Sequence, residues 1–375
     1  MIKIFSFFQF FLLLNLCPFA QQPCNDDVIM NVKGAWKKRS DANMKADKNQ
    51  AQIISRVDAI SKMFQTAYPD PKGMEAGWYR AMSGSPIINN GPISYQFNSI
   101  FLWWYCNQNV QKLMLGGETA TWAYVFINDF GWFMDDQYDK ASIQIKDNTT
   151  YMLPRLVGQW KGLLLYEPRS STKYNEHRAV LITRNNQLPY KPISRLQYLQ
   201  AMKQKLENEK KIQMDIINKQ SVKTDAQEEE AKLRDLENIA KNNRPQYVAQ
   251  RKESYLKNYK TDKQQKEENL QRTEKIFDDR LTVIENVEKK YTDDELKQPA
   301  VIDEDHDFKD FTSQEKGGRM IVLINTAYFN MQLPRYAPQF MILYWRSQNN
   351  APSQNFKKQF EGNFPVEKLK EMIDK

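Results

Sequence analysis

Carboxylates crowd one short stretch of the chain. In "NDFGWFMDDQYD", Asp129, Asp135, Asp136 and Asp139 stand among aromatic residues, with Glu118 just upstream. Two carboxylates beside Trp and Phe can hydrolyse a glycosidic bond when they are held about 5 to 9 Å apart. Spacing along the chain does not set that distance. A strand end followed by a polar turn accounts for the same residues and is the plainer reading. A second acidic run, "DEDHDFKD", gives Asp303, Asp305 and Asp307 the alternating oxygen pattern of a calcium loop. Phe308 stands where that loop needs its turn glycine, and Gln314 where it needs a bidentate glutamate. An acidic exposed linker is favoured, and no metal site is assigned.

The chain has two histidines, His177 and His306, and three cysteines. Histidine-rich zinc sites are thereby excluded. Neither histidine sits in an H-E-x-x-H frame, and no G-x-S-x-G elbow is present; "SGSP" at Ser83 to Pro86 reads as a turn. Cys106 with His177 is the one conceivable thiol pair. Its setting, "WWYCNQN", reads as a buried helix, which favours an inert thiol. The balance leans away from catalysis, and no cofactor is expected. Asn148 opens one "NTT" glycosylation-type sequon, which implies exposure and nothing more.

Aromatic residues are dense: Trp103, Trp104, Tyr105, Trp122, Tyr124, Trp132 and Phe133 lie close together. Exposed, they would form a stacking platform for sugars or peptides. Buried, they are core, which alternation around Trp122, Tyr124 and Phe126 favours.

The first twenty residues carry the chemistry of export. Lys3 precedes an apolar run from Ile4 to Leu16, and Pro18-Phe19-Ala20 leads to a plausible cut. That run is too short to span a bilayer of about 30 Å, and no later stretch is long and apolar enough. Residues 1–20 are expected to be a signal peptide, which puts the remainder in the periplasm or outside the cell. There Cys24 and Cys106 are free to pair as a disulfide. The net charge of +8 arises from 54 basic and 46 acidic residues. Lys interleaved with Glu in an exported chain argues against nucleic acid, while anionic surfaces such as acidic glycans remain open.

Those residues need elements to hold them. "NQAQIISRVDAISKMFQTAY" has helical apolar spacing and ends at Pro69 and Pro71. Gly- and Pro-rich residues up to Pro92 read as a loop. "ISYQFNSIFLWWYCNQNVQKLML" is expected to be a buried helix, being apolar on several faces. "TATWAYVFINDF", "ASIQIKD", "YMLPRLV", "WKGLLLYEP" and "RAVLITR" read as strands too closely spaced for helical crossovers, hence an antiparallel sheet. Residues 194–297 turn sharply to Lys, Glu, Gln, Asn and Asp with no glycine. This is a charged helical arm with thin apolar stripes, paired antiparallel and coiled-coil-like, broken at "NNRP". "GGRMIVLINTAYF" and "PQFMILYWRS" return as strands, and "PVEKLKEMI" as a short helix. The expected fold is α+β. Residues 21–193 and 298–375 build one domain, and the arm is inserted before its last strands.

"PYKPISRLQYL", Pro189 to Leu199, is the hinge into that arm. Ser194 and Gln197 have the form of a capping box, Ile193 and Tyr198 of a hydrophobic staple, and Pro192 keeps Lys191 extended. With "GGETATWAYVFINDF" and "PKGMEAGWYRAMSGSP", the phrase "LITRNNQLPYKPISRLQYL" resembles an uncharacterised group of exported bacterial proteins. The resemblance covers most of residues 30 to 206. It implies a recurring architecture and attaches no activity and no functional residue. The functional expectation is an exported, non-enzymatic binding protein whose arm meets a protein partner. The alternative is a carboxylate-dependent glycan hydrolase or a glycan-binding module.

Overall fold

The structure is a computed structural model that describes residues 25–44, 48–82, 86–107, 109, 112–117, 121–134, 143–146, 148–303 and 308–375. The residues expected to form the signal peptide lie outside that set. The chain forms two compact units. One comprises residues up to 130, 159–186 and 329–375; the other comprises 131–158 and 187–328.

The first unit is built on one large sheet. After a short helix α1 (Asp26–Asn31) come β1 (Trp36–Lys38), helix α2 (Gln50–Ala67), β2 (Met74–Met82), β3 (Tyr95–Asn107), β4 (Lys112–Leu115) and β5 (Thr121–Ile127). Three small strands, β6 (Gln144–Ile145), β7 (Asn148–Thr149) and β8 (Tyr151–Met152), precede β9 (Arg155–Trp160), β10 (Leu163–Glu167) and β11 (Asn175–Thr183). The arm region follows, bracketed by β12 (Tyr190–Pro192), β13 (Val301–Ile302) and β14 (Arg319–Ile324), and then β15 (Phe340–Gln348). The large sheet has the order β1-β2-β3-β5-β15-β11-β10-β9, with β4 hairpinned onto β3. β1 joins in parallel, while the pairings from β2 to β10 are antiparallel. The α+β class and the antiparallel body of the sheet are as the sequence implied.

Tyr95–Asn107 and Lys112–Leu115 are strands and not the expected helix. Apolar residues on every side of a run mark burial on all sides, and a strand covered on both faces carries the same mark. Its Tyr, Phe, Ile and Trp residues favour the pleated form. Met74–Met82, read as part of a loop, is likewise a strand. Its glycine, Gly77, makes room for the Arg39 side chain, since a Cβ there would sit 2.2 Å from Arg39 Nε.

One face of this sheet carries the main core. Ile53, Val57, Ile60 and Phe64 recur at helical spacing and press α2 onto Phe97, Phe101 and Val125. Helix α8 (Ala351–Asn363) adds Phe356 and Phe360. Asn350 caps it by accepting a hydrogen bond from Ser353 N at 2.9 Å. Phe64 meets Phe97, Phe360 and Phe364 with ring centres 4.5 to 5.3 Å apart. The expected terminal helix is α9 (Val366–Lys370).

The second unit has its own small sheet, in which β14 pairs with β12, β13 and β8. Of the two strands expected to complete the large sheet after the arm, β15 does so between β5 and β11; β14 stays here. The arm runs as α3 (Arg195–Asn218), α4 (Asp225–Asn242), α5 (Pro245–Asn258) and α6 (Asp262–Lys290), closed by α7 (Asp293–Leu296). Ser194 Oγ accepts from Gln197 N at 3.1 Å and Gln197 Oε1 from Ser194 N at 2.9 Å, the capping box that the sequence shows. Thr224, Thr261 and Thr292 repeat it at three further helix starts. The break at "NNRP" falls between α4 and α5.

Candidate functional site

The residues first suspected of chemistry do not assemble. Asp129 is half-buried just past β5, and Glu118, Asp135, Asp136 and Asp139 lie outside the described residues. Asp303 is exposed, and Asp305, His306 and Asp307 lie outside them too. Among the described residues no group of His, Cys, Asp or Glu is arranged to hold a metal ion. Cys106 sits on β3 and is disulfide-bonded, so it offers no thiolate to His177. Cys24 lies outside the described residues. Asn148 is exposed on β7.

The aromatic residues do converge. All seven residues of β5 are buried, including Trp122, Tyr124 and Phe126. Phe133 is buried, Trp103, Trp104 and Tyr105 are half-buried, and Trp132 is exposed. Strand alternation puts Trp122, Tyr124 and Phe126 on the face of the large sheet opposite α2 and α8.

That second face is unlike the first. Cross-strand register sets Tyr79, Asn98, Tyr124 and Tyr344 in one row and Ile100, Trp122, Arg346 and His177 in the next. Trp122 and Tyr124 stack with centres 4.6 Å apart and planes 10° apart. Tyr344 meets Trp122 edge-on at 4.7 Å. His177 Nδ1 lies 2.9 Å from the Tyr344 hydroxyl. Burial, then the guanidinium groups of Arg346 and Arg169, bring the His177 pKa from 6.5 down to about 4, which leaves the imidazole neutral. Burial also lowers the pKa of Arg346, against Tyr344, with Arg169 lowering it further and Tyr124 raising it. Among the described residues of this face, the side-chain donors Asn98 Nδ2, Trp104 Nε1 and Arg346 Nε have no hydrogen-bond partner. Asn98, Tyr344 and Arg346 carry no motif, and only strand alternation could have pointed to them.

The arm presents a second kind of surface. Lys203 pairs with Glu285 at 3.3 Å and Lys210 with Asp278 at 2.7 Å, so α3 and α6 run antiparallel. Between them and the small sheet lie Leu199, Leu206, Phe277, Ile284 and Ile321. The α4–α5 pair differs. Its one buried residue is Glu228. The Glu228 carboxylate accepts hydrogen bonds from the Tyr259 hydroxyl and, at 2.6 Å, from Asp262 N. Tyr255 donates to Asp235 at 3.1 Å. Leu233, Tyr247 and Leu256 are about half exposed. No helix among the described residues is long and apolar enough to cross a membrane.

Set against protein-family models, curated proteins and solved structures, the chain matches none.

Proposed function

We propose that this is an exported, non-enzymatic binding protein of the cell envelope, periplasmic or extracellular, which meets a protein partner on the distal half of its arm. The carrying observation is that α4 and α5, of 18 and 14 residues, bury no apolar side chain. Helices of that length are marginal alone in water, and most gain their stability from a packed apolar face. Leu233, Tyr247 and Leu256 are apolar side chains left about half exposed for another protein to cover. The disulfide at Cys106 is in keeping with an oxidising compartment.

The test is in-cell crosslinking of the full chain beside a form whose residues 222–260 are replaced by a short Gly-Ser linker. Removing the whole arm would also remove Leu199, Leu206 and Ile284 from the core of its unit. The shorter cut leaves α3 and α6 joined where Lys266 Nζ donates to Asn218 O at 2.7 Å and Gln220 O at 3.0 Å. Discrete crosslinked partners lost with residues 222–260 support the proposal. Partners retained without them refute it.

A further inference from the structure

Two exposed apolar side chains at the tip of the arm stand in opposite electrostatic settings. On α4, Leu233 is 53% exposed, with Glu230 three residues before it and Glu237 four residues after it. On α5, Tyr247 is 48% exposed, with Arg244 three residues before it and Arg251 four residues after it. Residues three and four apart share one side of a helix, so each apolar side chain sits between two like charges. Arg244 is the N-cap of α5, and its carbonyl accepts from Tyr247 N at 2.9 Å, which closes that turn. All four charged residues are exposed. The two patches have the same spacing and opposite sign.

One chain cannot bring its own two patches together. Asp235 faces α5, since it accepts from the Tyr255 hydroxyl. Leu233 precedes Asp235 by two residues, about 200° round the helix, and so points away from α5. Tyr255 faces α4 through the same bond. Tyr247 precedes Tyr255 by eight residues, about 80° round α5. Leu233 and Tyr247 therefore lie on different sides of the hairpin. Glu237 has Lys241 at 3.7 Å, but both side chains are about 70% exposed, and such a pair contributes little. The acidic patch is open to a stronger pairing.

We propose that the partner of the arm tip is a second copy of this chain, with α4 of one copy lying on α5 of the next. Leu233 covers Tyr247, and Glu230 and Glu237 stand opposite Arg251 and Arg244. The inference rests on the reading of the tip as a contact surface and names what meets it. Glutamates against glutamates, or arginines against arginines, repel, so charge selects the α4–α5 pairing over α4–α4 and α5–α5. The patches lie on different sides of the hairpin, so the contact is head-to-tail and leaves a free patch at each end. A 14-residue α5 is about 21 Å long and a helix about 10 Å across, so one contact covers about 200 Å² per copy. That is the size of a transient contact, which concentration drives.

The experiment is sedimentation of the chain from residue 21 onward, from about 10 to about 500 μM, at low and at high salt. The average mass is expected to rise above that of a monomer with concentration and to fall back as salt is added. Arg244→Glu with Arg251→Glu, and separately Glu230→Arg with Glu237→Arg, should each weaken association about tenfold or more. All four positions are exposed, so both variants keep the fold, which circular dichroism verifies. Mixed in equal amounts, the two variants should associate again, because each then meets the opposite charge on the other. A parent chain that stays monomeric throughout would overturn the inference. In-cell adducts lost with residues 222–260 would then still uphold the tip as a contact surface, with a different protein as its partner. Association unchanged in either double variant would place the contact elsewhere. Monomeric variants that stay monomeric when mixed would overturn the pairing of α4 with α5.

Discussion

The two halves of the arm are made from the same kind of sequence and held together differently. Near its base, α3 and α6 bury Leu199, Leu206, Phe277 and Ile284 against each other and the small sheet. Toward its tip, α4 and α5 are joined by Glu228, Tyr255 and Tyr259, with no buried apolar side chain. Hydrogen bonds and exposed ion pairs give direction but little net stability, whereas burial of apolar area gives stability without direction. The base is therefore held by its core, and the tip leaves apolar side chains such as Leu233 and Leu256 exposed.

The largest effect should come from the base. Ile284 is 2% exposed, and Ile284→Ala should cost about 3 kcal/mol through lost burial and a cavity. Hydrogen exchange should quicken throughout α3 and α6. If only α4 and α5 responded, the division between halves would be misplaced.

Acid should discriminate the body from the arm. His177 is neutral in the fold down to about pH 4, whereas unfolding returns it to its usual 6.5. Between those values the unfolded chain takes up a proton that the folded chain refuses. The stability His177 contributes is thus whole above about pH 6.5 and lost as pH falls toward 4, roughly 3 kcal/mol at full effect. Urea midpoints at about pH 7.5 and pH 4.5 should differ less in His177→Asn than in the parent. Equal slopes would place the acid response elsewhere.

Caps come next. Ser194→Ala removes one half of the box that starts α3 and should cost about 1 kcal/mol in the stability of the base. Thr224→Ala should instead loosen only the tip, read as faster exchange confined to α4. The smallest stability effect should come from Leu233→Ser with Leu256→Ser, within about 0.5 kcal/mol, since both side chains are already exposed. A loss of several kcal/mol from that pair would mean that the tip has a core of its own.

Much of this organisation is legible in the chain. The arm announces itself by composition, and Ser194 with Gln197 announces its start. The pattern recurs at Thr224, Thr261 and Thr292, each with Gln or Glu three residues on, where a reading by composition passes over it. Tyr95–Asn107 misled because a strand covered on both faces shows no period of two. The place of β15 between β5 and β11 rests on pairings such as Arg346 with Trp122, more than two hundred residues apart in sequence, which no local pattern encodes. The second face of the sheet was hidden for the same reason. Trp122 and Tyr124 stand out in the chain, but Asn98 and Arg346 become neighbours of theirs only once the strands are in order.

The most direct test of the arm's role places a photocrosslinking amino acid, in living cells, at Leu233 or Leu256 in the tip and at exposed Glu207 in the base. The account predicts a discrete protein adduct from the tip positions and none from Glu207. Adducts from Glu207 alone, or none from either tip position in a stably expressed chain, would contradict it.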